Sequence, residues 1–237
     1  MQVNWGTLET GSAFSKRGIG RRAALTGLLA CGALALPGCA SMGRQSYVEV
    51  IRRLLEASSQ QAFAQLTRPD GFWDSAVARI QLPALFGKTG SIAASLLRSR
   101  LFREQLQHQL NNMAEEGARR AAPLVFEAVR HLSIPDALAL LRAGPTGATT
   151  YLREQMGPGL VNAMIPELDE AMRLTEDSYL NQAMALLTGV DLMDAAHALA
   201  LEADNAIWYE IGQAEAAIRA DPESTHDPVL IAGLKLL

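Results

Sequence analysis

The 237-residue chain has few cysteines, few aromatic residues and no convincing strand pattern. It contains two cysteines, Cys31 and Cys39, and only 5% Phe, Trp and Tyr. Its apolar run from Ala23 to Leu36 has 14 residues, fewer than the roughly 20 that a membrane-spanning helix needs. No alternating, β-branched segment of useful length occurs, which favours an all-α fold.

The apolar run instead has the length of the hydrophobic part of an export signal. It is preceded by the basic residues Lys16, Arg17, Arg21 and Arg22, and followed by the sequence Leu36-Pro37-Gly38-Cys39. We interpret residues 1–38 as a lipoprotein signal peptide and expect the thiol of Cys39 to carry a diacylglycerol. The alternative, a buried N-terminal helix, fits poorly because several glycines and a proline would break it.

The pair Arg21-Arg22 leaves two export routes open. Adjacent arginines before the apolar run are typical of twin-arginine signals, whereas an ordinary secretory signal also tolerates two extra positive charges. Ala40 follows the cysteine, and a residue other than aspartate there permits delivery to the outer membrane. We therefore expect a lipid-anchored envelope protein that faces the periplasm from the outer membrane.

The predicted mature chain is acidic and has one cysteine. Removal of residues 1–38 leaves 17 basic and 24 acidic residues, a net charge of −7. This charge argues against a nucleic-acid partner and against electrostatic docking on anionic lipid. Because Cys39 would be acylated, no disulfide is possible and stability must come from packing. We expect a lipidated linker over residues 39–45 and one helical domain over residues 46–237.

Helix signals recur along this domain. Ser46 and Glu49 form a capping box before the first helix, and residues 67–90 form a long irregular loop. Helices are then predicted to begin near Ser91, at Pro123 and after Ser133. A short helix is predicted to end near Met156, and two further helices to cover residues 160–174 and 176–187. A long helix is predicted from Asp191 to Asp221, and a last short one to begin at Asp227. The pattern predicts a single multi-helix, bundle-like domain.

Several blocks resemble a bacterial family known as domain of unknown function 4197. The resemblance covers residues 48–233, and its blocks are Arg68-Pro69-Asp70-Gly71-Phe72, residues 79–83, residues 121–123, Ser133 with Asp136-Ala137, residues 144–154 and residues 218–222. The chain departs from the family pattern at Gln81, Leu152 and Asn205. Asn205 stands where the family tends to have aspartate, so no role that needs a carboxylate is expected there. The family implies an exported helical protein without an assigned activity.

No motif indicates a metal, a cofactor or a catalytic centre. His108 follows Glu104 by four residues, and His197 follows Asp194 by three, but neither pair has a third ligand nearby. We interpret Glu104 and His108 as a solvated pair and His131 as a favourable charge at a helix C-terminus. Serine-nucleophile elbows and phosphate-binding glycine loops are absent from the sequence.

The candidate binding surface is the loop over residues 67–90, because long irregular connections are often functional. Its candidate residues are Asp70, Phe72, Trp73 and Arg79. We favour the alternative, in which Phe72 and Trp73 close the end of the bundle and Asp70-Gly71 forms a turn. Tyr151 and Arg153 are candidates for a further polar patch, although the tyrosine equally fits a position capping the core. Trp208 and Tyr209 are interpreted as core and its edge.

Three functional hypotheses remain open. The first is a lipid-anchored domain that binds an envelope protein or a small apolar ligand, the membrane being contacted through the acyl chains on Cys39. The second is an unrecognised envelope hydrolase that uses carboxylates such as Asp70 and Asp136. The third is a structural spacer. Binding is favoured over catalysis because the sequence predicts an anchor and a scaffold but no catalytic residues.

Overall fold

The computed structural model describes residues 43–82, 98–186 and 191–236, all within one compact unit that runs from Met42 to Leu237. The predicted signal peptide, Arg21, Arg22 and Cys39 lie outside the described residues, as do the predicted helix start at Ser91 and the loop residues 83–90. The described residues contain helices and no strand, which confirms the all-α prediction.

The helices follow one another with short connections. Their bounds are α1 Arg44–Leu66, α2 Gly71–Asp74, α3 Arg100–His131, α4 Ala137–Arg142, α5 Gly147–Met156, α6 Gly159–Leu174, α7 Ser178–Leu186, α8 Leu192–Ala220, a 3-10 helix Pro222–Thr225 and α9 Pro228–Lys235. Within the described part of the chain, no helix is both long enough and apolar enough to cross a membrane.

The predicted start of α1 is wrong by three residues. The helix begins at Arg44 after an extended Gly43, so Ser46 lies inside the first turn and does not cap it. Arginine and glutamine are good helix formers and lengthen the helix backward. The backbone N–H of Ser46 donates to Gly43 O at 2.8 Å, and no side-chain cap hydrogen bond forms at this helix end.

Two further predicted helix starts are also wrong. Pro123 lies inside α3, which continues to His131. The proline is exposed, while Ala121 and Val125 on either side of it are buried, so packing offsets the cost of the missing N–H. Asp136, not Ser133, caps α4 by accepting from Ala139 N at 3.0 Å.

Most of the later boundaries agree with the predictions. The exception is the helix predicted over residues 176–187, which begins at Ser178 because Asp177 caps it by accepting from Leu180 N at 2.8 Å; its predicted end at residue 187 lies outside the described residues. α5 ends at Met156, and α8 begins after Asp191, whose side chain accepts from Asp194 N at 2.7 Å. Asp227 caps α9 by accepting from Val229 N at 2.8 Å and from Leu230 N at 3.2 Å. The carboxylate of an aspartate before a helix satisfies first-turn N–H groups that have no partner within the helix. For this reason the aspartates correctly predict these helix starts.

The core is organised around α8. This helix packs against α6 and α1, and α3 packs against α6 and α1 from another side. Small residues such as Ala196, Ala200 and Ala203 are fully buried on α8 and permit close approach, while Ile207 and Ile211 fill the core. Burial of this apolar area is the main source of stability.

The direction of α8 follows from two contacts. The last part of α1 leads to Ser75, which donates to Glu210 on α8 at 2.8 Å. In the first half of α1, Arg53 lies 2.8 Å from Asp227, which follows the end of α8. The two long helices therefore run antiparallel.

Candidate functional site

The junction between α4 and α5 is closed by a carboxylate from α8. Glu215 is fully buried, and its oxygens accept from Ala148 N at 3.1 Å, from Thr149 N at 2.7 Å and from the Thr149 hydroxyl at 2.6 Å. These N–H groups belong to the first turn of α5, where no intrahelical partner exists. Glu215 thus acts as the N-terminal cap of α5 from another helix.

Arg219, one turn further along α8, completes the junction. Its Nε donates to Glu215 at 2.8 Å, and its terminal nitrogens donate to Leu141 O at 2.8 Å and Leu140 O at 3.3 Å. The pair places positive charge at the carbonyl end of α4 and negative charge at the amide end of α5, which favours both helix dipoles. α5 is thereby fixed against α8.

A cleft lies where α5 meets α8, and we call it the α5/α8 cleft. Its volume is about 460 Å³, and its lining residues are Val77, Pro145, Thr146, Thr149, Thr150, Arg153, Trp208, Tyr209, Gly212, Gln213 and Ala216. Residues from α5, α8 and the loop after α2 therefore converge there, as ligand clefts in helical proteins commonly require.

Arg153 is held at the edge of this cleft by two α8 side chains. Its guanidinium donates to Asp204 Oδ2 at 2.9 Å and to Asn205 Oδ1 at 2.5 Å. Asp204 also accepts from Trp208 Nε1 at 2.9 Å. Burial raises the pKa of the Asp204 carboxyl above its ordinary value, although Trp208 and Arg153 oppose that shift. The network orients the guanidinium while it keeps the local charge nearly balanced.

The outer wall of the cleft is accessible. Tyr209 is 64% exposed and Val77 is 40% exposed, whereas neighbouring Trp208 is almost fully buried. An exposed tyrosine offers apolar area together with a hydroxyl. The cleft thus combines apolar walls with a guanidinium, a phenol and the amide of Gln213.

A second constellation forms where the loop after α1 rests on α3, and we call it the loop cluster: Asp70, Trp73, Arg79 and His108. His108 Nε2 and Asp70 Oδ1 are 2.8 Å apart. The Trp73 ring meets the His108 ring edge-on at 4.9 Å, and Arg79 lies over Trp73 at 4.6 Å from its centroid. The structure thus brings three of the predicted loop residues together with a histidine that was not assigned to them.

The interpretation of His108 as a solvated partner of Glu104 is wrong. Glu104 pairs with Arg100 at 4.0 Å, while His108 contacts the loop. The reason is tertiary, since α2 and its flanking turns lie across the face of α3 that carries His108. Among the described residues no group of three or more His, Cys, Asp or Glu side chains can hold a metal ion. His131 lies in the last turn of α3, as predicted.

Phe72 does not share the surface with the other loop residues. Its side chain is fully buried, while Trp73 is only half-buried. Close approach of the chain at Gly71 makes this burial possible, because a Cβ there would lie 2.3 Å from Gln65 O and 2.8 Å from Leu66 O. Phe72 therefore closes the end of the bundle, which was the alternative interpretation.

The underside of the loop rests on polar groups of α3. Asn111 accepts from Ile80 N at 2.8 Å and donates to Ile80 O at 2.9 Å. Glu115 is buried beneath Gly71 and Phe72, and its burial raises the pKa of its carboxyl. The N–H groups of those two residues and the guanidinium of Arg119 oppose part of the shift.

Tyr151 and Arg153 serve different places despite their proximity in sequence. The Tyr151 hydroxyl donates to Ser133 O at 2.7 Å and thereby ties the α3–α4 connection to α5. Arg153 lines the α5/α8 cleft, and Tyr151 does not. Asp70 and Asp136 are also far apart. Asp136 lines a depression with Tyr47 near the start of α1, while Asp70 follows the end of that helix.

The sequence interpretation did not identify most of the cleft. Thr149, Tyr209, Gln213 and the cap Glu215 were not assigned to any site. Only the exposure of Tyr209 could be read from the helical periodicity. Ile207 and Ile211 define the core face of α8, and a residue two positions from each of them lies on another face of the helix. Thr149 and Glu215 are 66 residues apart, and no local pattern joins them.

One family model matches residues 41–232, and its description reads protein of unknown function (DUF4197). The match covers nearly all of the described domain. No curated protein and no solved structure matches the chain.

Proposed function

The chain belongs to the DUF4197 family, whose description assigns no activity, and from its own residues we propose a lipid-anchored envelope protein that binds a ligand in the α5/α8 cleft. The anchor is Cys39, and the bound group is a small molecule or a short segment of an envelope protein. The observation that carries the binding role is the convergence of Arg153, Tyr209 and Val77 around one accessible cleft.

The cleft favours a ligand that is partly apolar and carries few charges. Val77, Pro145 and Ala216 provide apolar contacts, and Gly212 lets Thr146 approach α8 closely, because a Cβ there would lie 3.3 Å from Thr146 Cγ2. Because Asp204 offsets the charge of Arg153, the guanidinium acts as an oriented hydrogen-bond donor rather than as the centre of a strong positive field. Such a mixture orients a ligand through a few polar contacts within an apolar surface.

The hydrolase hypothesis gains no support from the placement of its carboxylates. Asp136 caps α4 and Asp70 pairs with His108, and α1 separates the two over most of its length. A pure spacer, in turn, needs no cleft in which side chains from three elements converge. Binding is therefore the proposal that the geometry supports best.

The direct test is native mass spectrometry of the mature protein, gently extracted from its own membrane. We expect a reproducible added mass on the wild-type protein and its loss in Tyr209→Ala. The matched control is Leu201→Ala, which removes an exposed side chain of the same helix outside the cleft. A bare acylated chain in the wild type, or equal loss in both variants, would contradict binding in the cleft.

The anchor has its own test. Cys39→Ala should accumulate as an unprocessed precursor, because the thiol that accepts the lipid is missing. The measurement is the mass of the chain from membrane fractions. Normal maturation of this variant would end the proposal of a lipid anchor while leaving the cleft proposal intact.

A further inference from the structure

Two contacts between α9 and α1 define one end of the helical domain. Asp227, the cap of α9, lies 2.8 Å from Arg53 on α1. Further along α9, a Cβ on Gly233 would lie 2.3 Å from Val50 on α1. As α9 advances, its contacts therefore move toward the start of α1, and its last turn lies beside the first turns of that helix.

The connection between α3 and α4 lies at the same end. Tyr47, in the first turns of α1, lines a depression of about 400 Å³ together with Pro135, Asp136, Ala137 and Leu138. We call this region, formed by the first turns of α1, the last turn of α9 and residues 135–138, the anchor end.

The anchor end exposes apolar side chains and has balanced charges. Leu236 is 67% exposed, and Ile231 and Leu234 are partly exposed. The acidic groups are largely paired there: Glu49 and Asp227 contact Arg53, and Glu223 contacts Lys235. This end lacks the excess negative charge of the mature chain and so would not be repelled by anionic lipid headgroups.

Resting on the proposed lipid anchor, we propose that the anchor end is the membrane-facing surface of the domain and that Leu236 contacts the lipid interface. Four residues separate Cys39 from Arg44. Since a chain extends at most about 3.6 Å per residue, the first turn of α1 lies within about 18 Å of the acylated residue in any conformation of that linker. The occupant of this surface is therefore the bilayer that holds the acyl chains.

This orientation places the α5/α8 cleft in the aqueous phase. Gln213 of the cleft also lines a groove with Gln61 and Gln65 of α1. Along α1, Gln61 lies about 25 Å from Arg44, at 1.5 Å rise per residue. In this orientation the cleft is open to a ligand that arrives from the periplasm, and not to one embedded in the same leaflet.

The test uses the full chain, matured and acylated in cells, with one introduced cysteine. Acylation consumes the thiol of Cys39, so Leu236→Cys or Gln213→Cys carries the sole thiol that a nitroxide reagent can label. The labelled proteins are placed in vesicles of phosphatidylethanolamine and phosphatidylglycerol. The relaxation of each label by oxygen and by a water-soluble nickel chelate is measured.

We expect the oxygen-to-nickel accessibility ratio at position 236 to exceed that at position 213 by about threefold, as for a side chain at the lipid interface. Equal ratios, or a higher ratio at position 213, overturn the orientation. The mass of each protein separates this failure from that of the anchor, because a chain without acyl groups overturns both proposals and an acylated chain with equal ratios overturns the orientation alone.

Discussion

The α4–α5 junction and the loop from Thr67 to Leu82 are both held by polar side chains of a neighbouring long helix, but at different depths. At the junction Glu215 is fully buried and the Arg219 side chain is 12% exposed. In the loop, the side chains of His108 and Asp70 are 35% and 49% exposed. The polar contact at the junction is therefore buried, whereas the His108–Asp70 contact on the surface of the loop is exposed to water.

This difference decides how much each contact contributes. A buried charge that loses its partner cannot recover hydration, so its loss is costly. A half-exposed pair exchanges its contact for water and contributes little. We expect the junction, and hence the α5/α8 cleft, to be rigid, while the surface of the loop tolerates substitution.

The largest effect is expected at the junction. Glu215→Ala should lower the free energy of unfolding by about 3–5 kcal/mol, because it leaves Arg219 and the N–H groups of Ala148 and Thr149 without their partner. Urea unfolding measures the loss. Exposed Glu202→Ala on the same helix is the control, and a loss no larger than the control's would refute the role of Glu215.

Two adjacent asparagines test the buried underside of the loop. Asn111→Ala should cost about 1–3 kcal/mol, because it removes hydrogen bonds to both backbone groups of Ile80. Asn112→Ala should cost much less, since Oδ1 of Asn112 has no partner within the described residues. Thermal or urea unfolding compares them, and equal losses would show that the contacts with Ile80 do not hold the loop.

The exposed part of the loop should respond to backbone conformation more than to the loss of its ion pair. Asp70 has a left-handed backbone, with φ of 58°, which glycine adopts freely and alanine does not. Asp70→Gly and Asp70→Ala both remove the contact with His108, yet the glycine variant should be more stable by about 1 kcal/mol. Urea midpoints of the two variants decide this, and an inverted order would contradict it.

The smallest effect is a pH dependence at Glu115. Because burial raises the pKa of its carboxyl above 4.5, the folded chain holds this proton more tightly than the unfolded chain, and its stabilising contribution is lost as the pH rises through the folded value. The Glu115→Gln variant does not lose stability in this way, because glutamine has no carboxyl group to ionise. The difference in stability between variant and wild type should therefore grow in favour of the variant above pH 4.5. A constant difference across the titration would speak against a raised pKa.

Local signals predicted helix ends where one side chain satisfies the backbone. Asp191 and Asp227 cap their helices as expected. The helix starts predicted at Ser46, Pro123 and Ser133 are wrong. Packing and neighbouring residues lengthen or shift the helices there. Pro123 is the clearest case, since α3 is stabilised by residues buried on both sides of it.

The candidate site residues were separated by the fold. Asp70, Trp73 and Arg79 lie with His108 in the loop cluster. Phe72 is buried in the core. Arg153 lies in the α5/α8 cleft with Trp208 and Tyr209. Aromatic and charged residues in a loop indicate a candidate binding surface. They do not indicate which helix they will meet.

The amino-acid sequence by itself determined the helical class, the helix starts at Asp191 and Asp227 and the family. Periodicity and caps act over a few neighbouring residues, and the family blocks can be read in order along the chain. Tertiary structure alone decided that Glu215 caps α5, that His108 meets Asp70 and that the cleft lies between α5 and α8. Those contacts join residues 38 to 67 positions apart, and only the packing of long helices around a shared core brings them within hydrogen-bond distance.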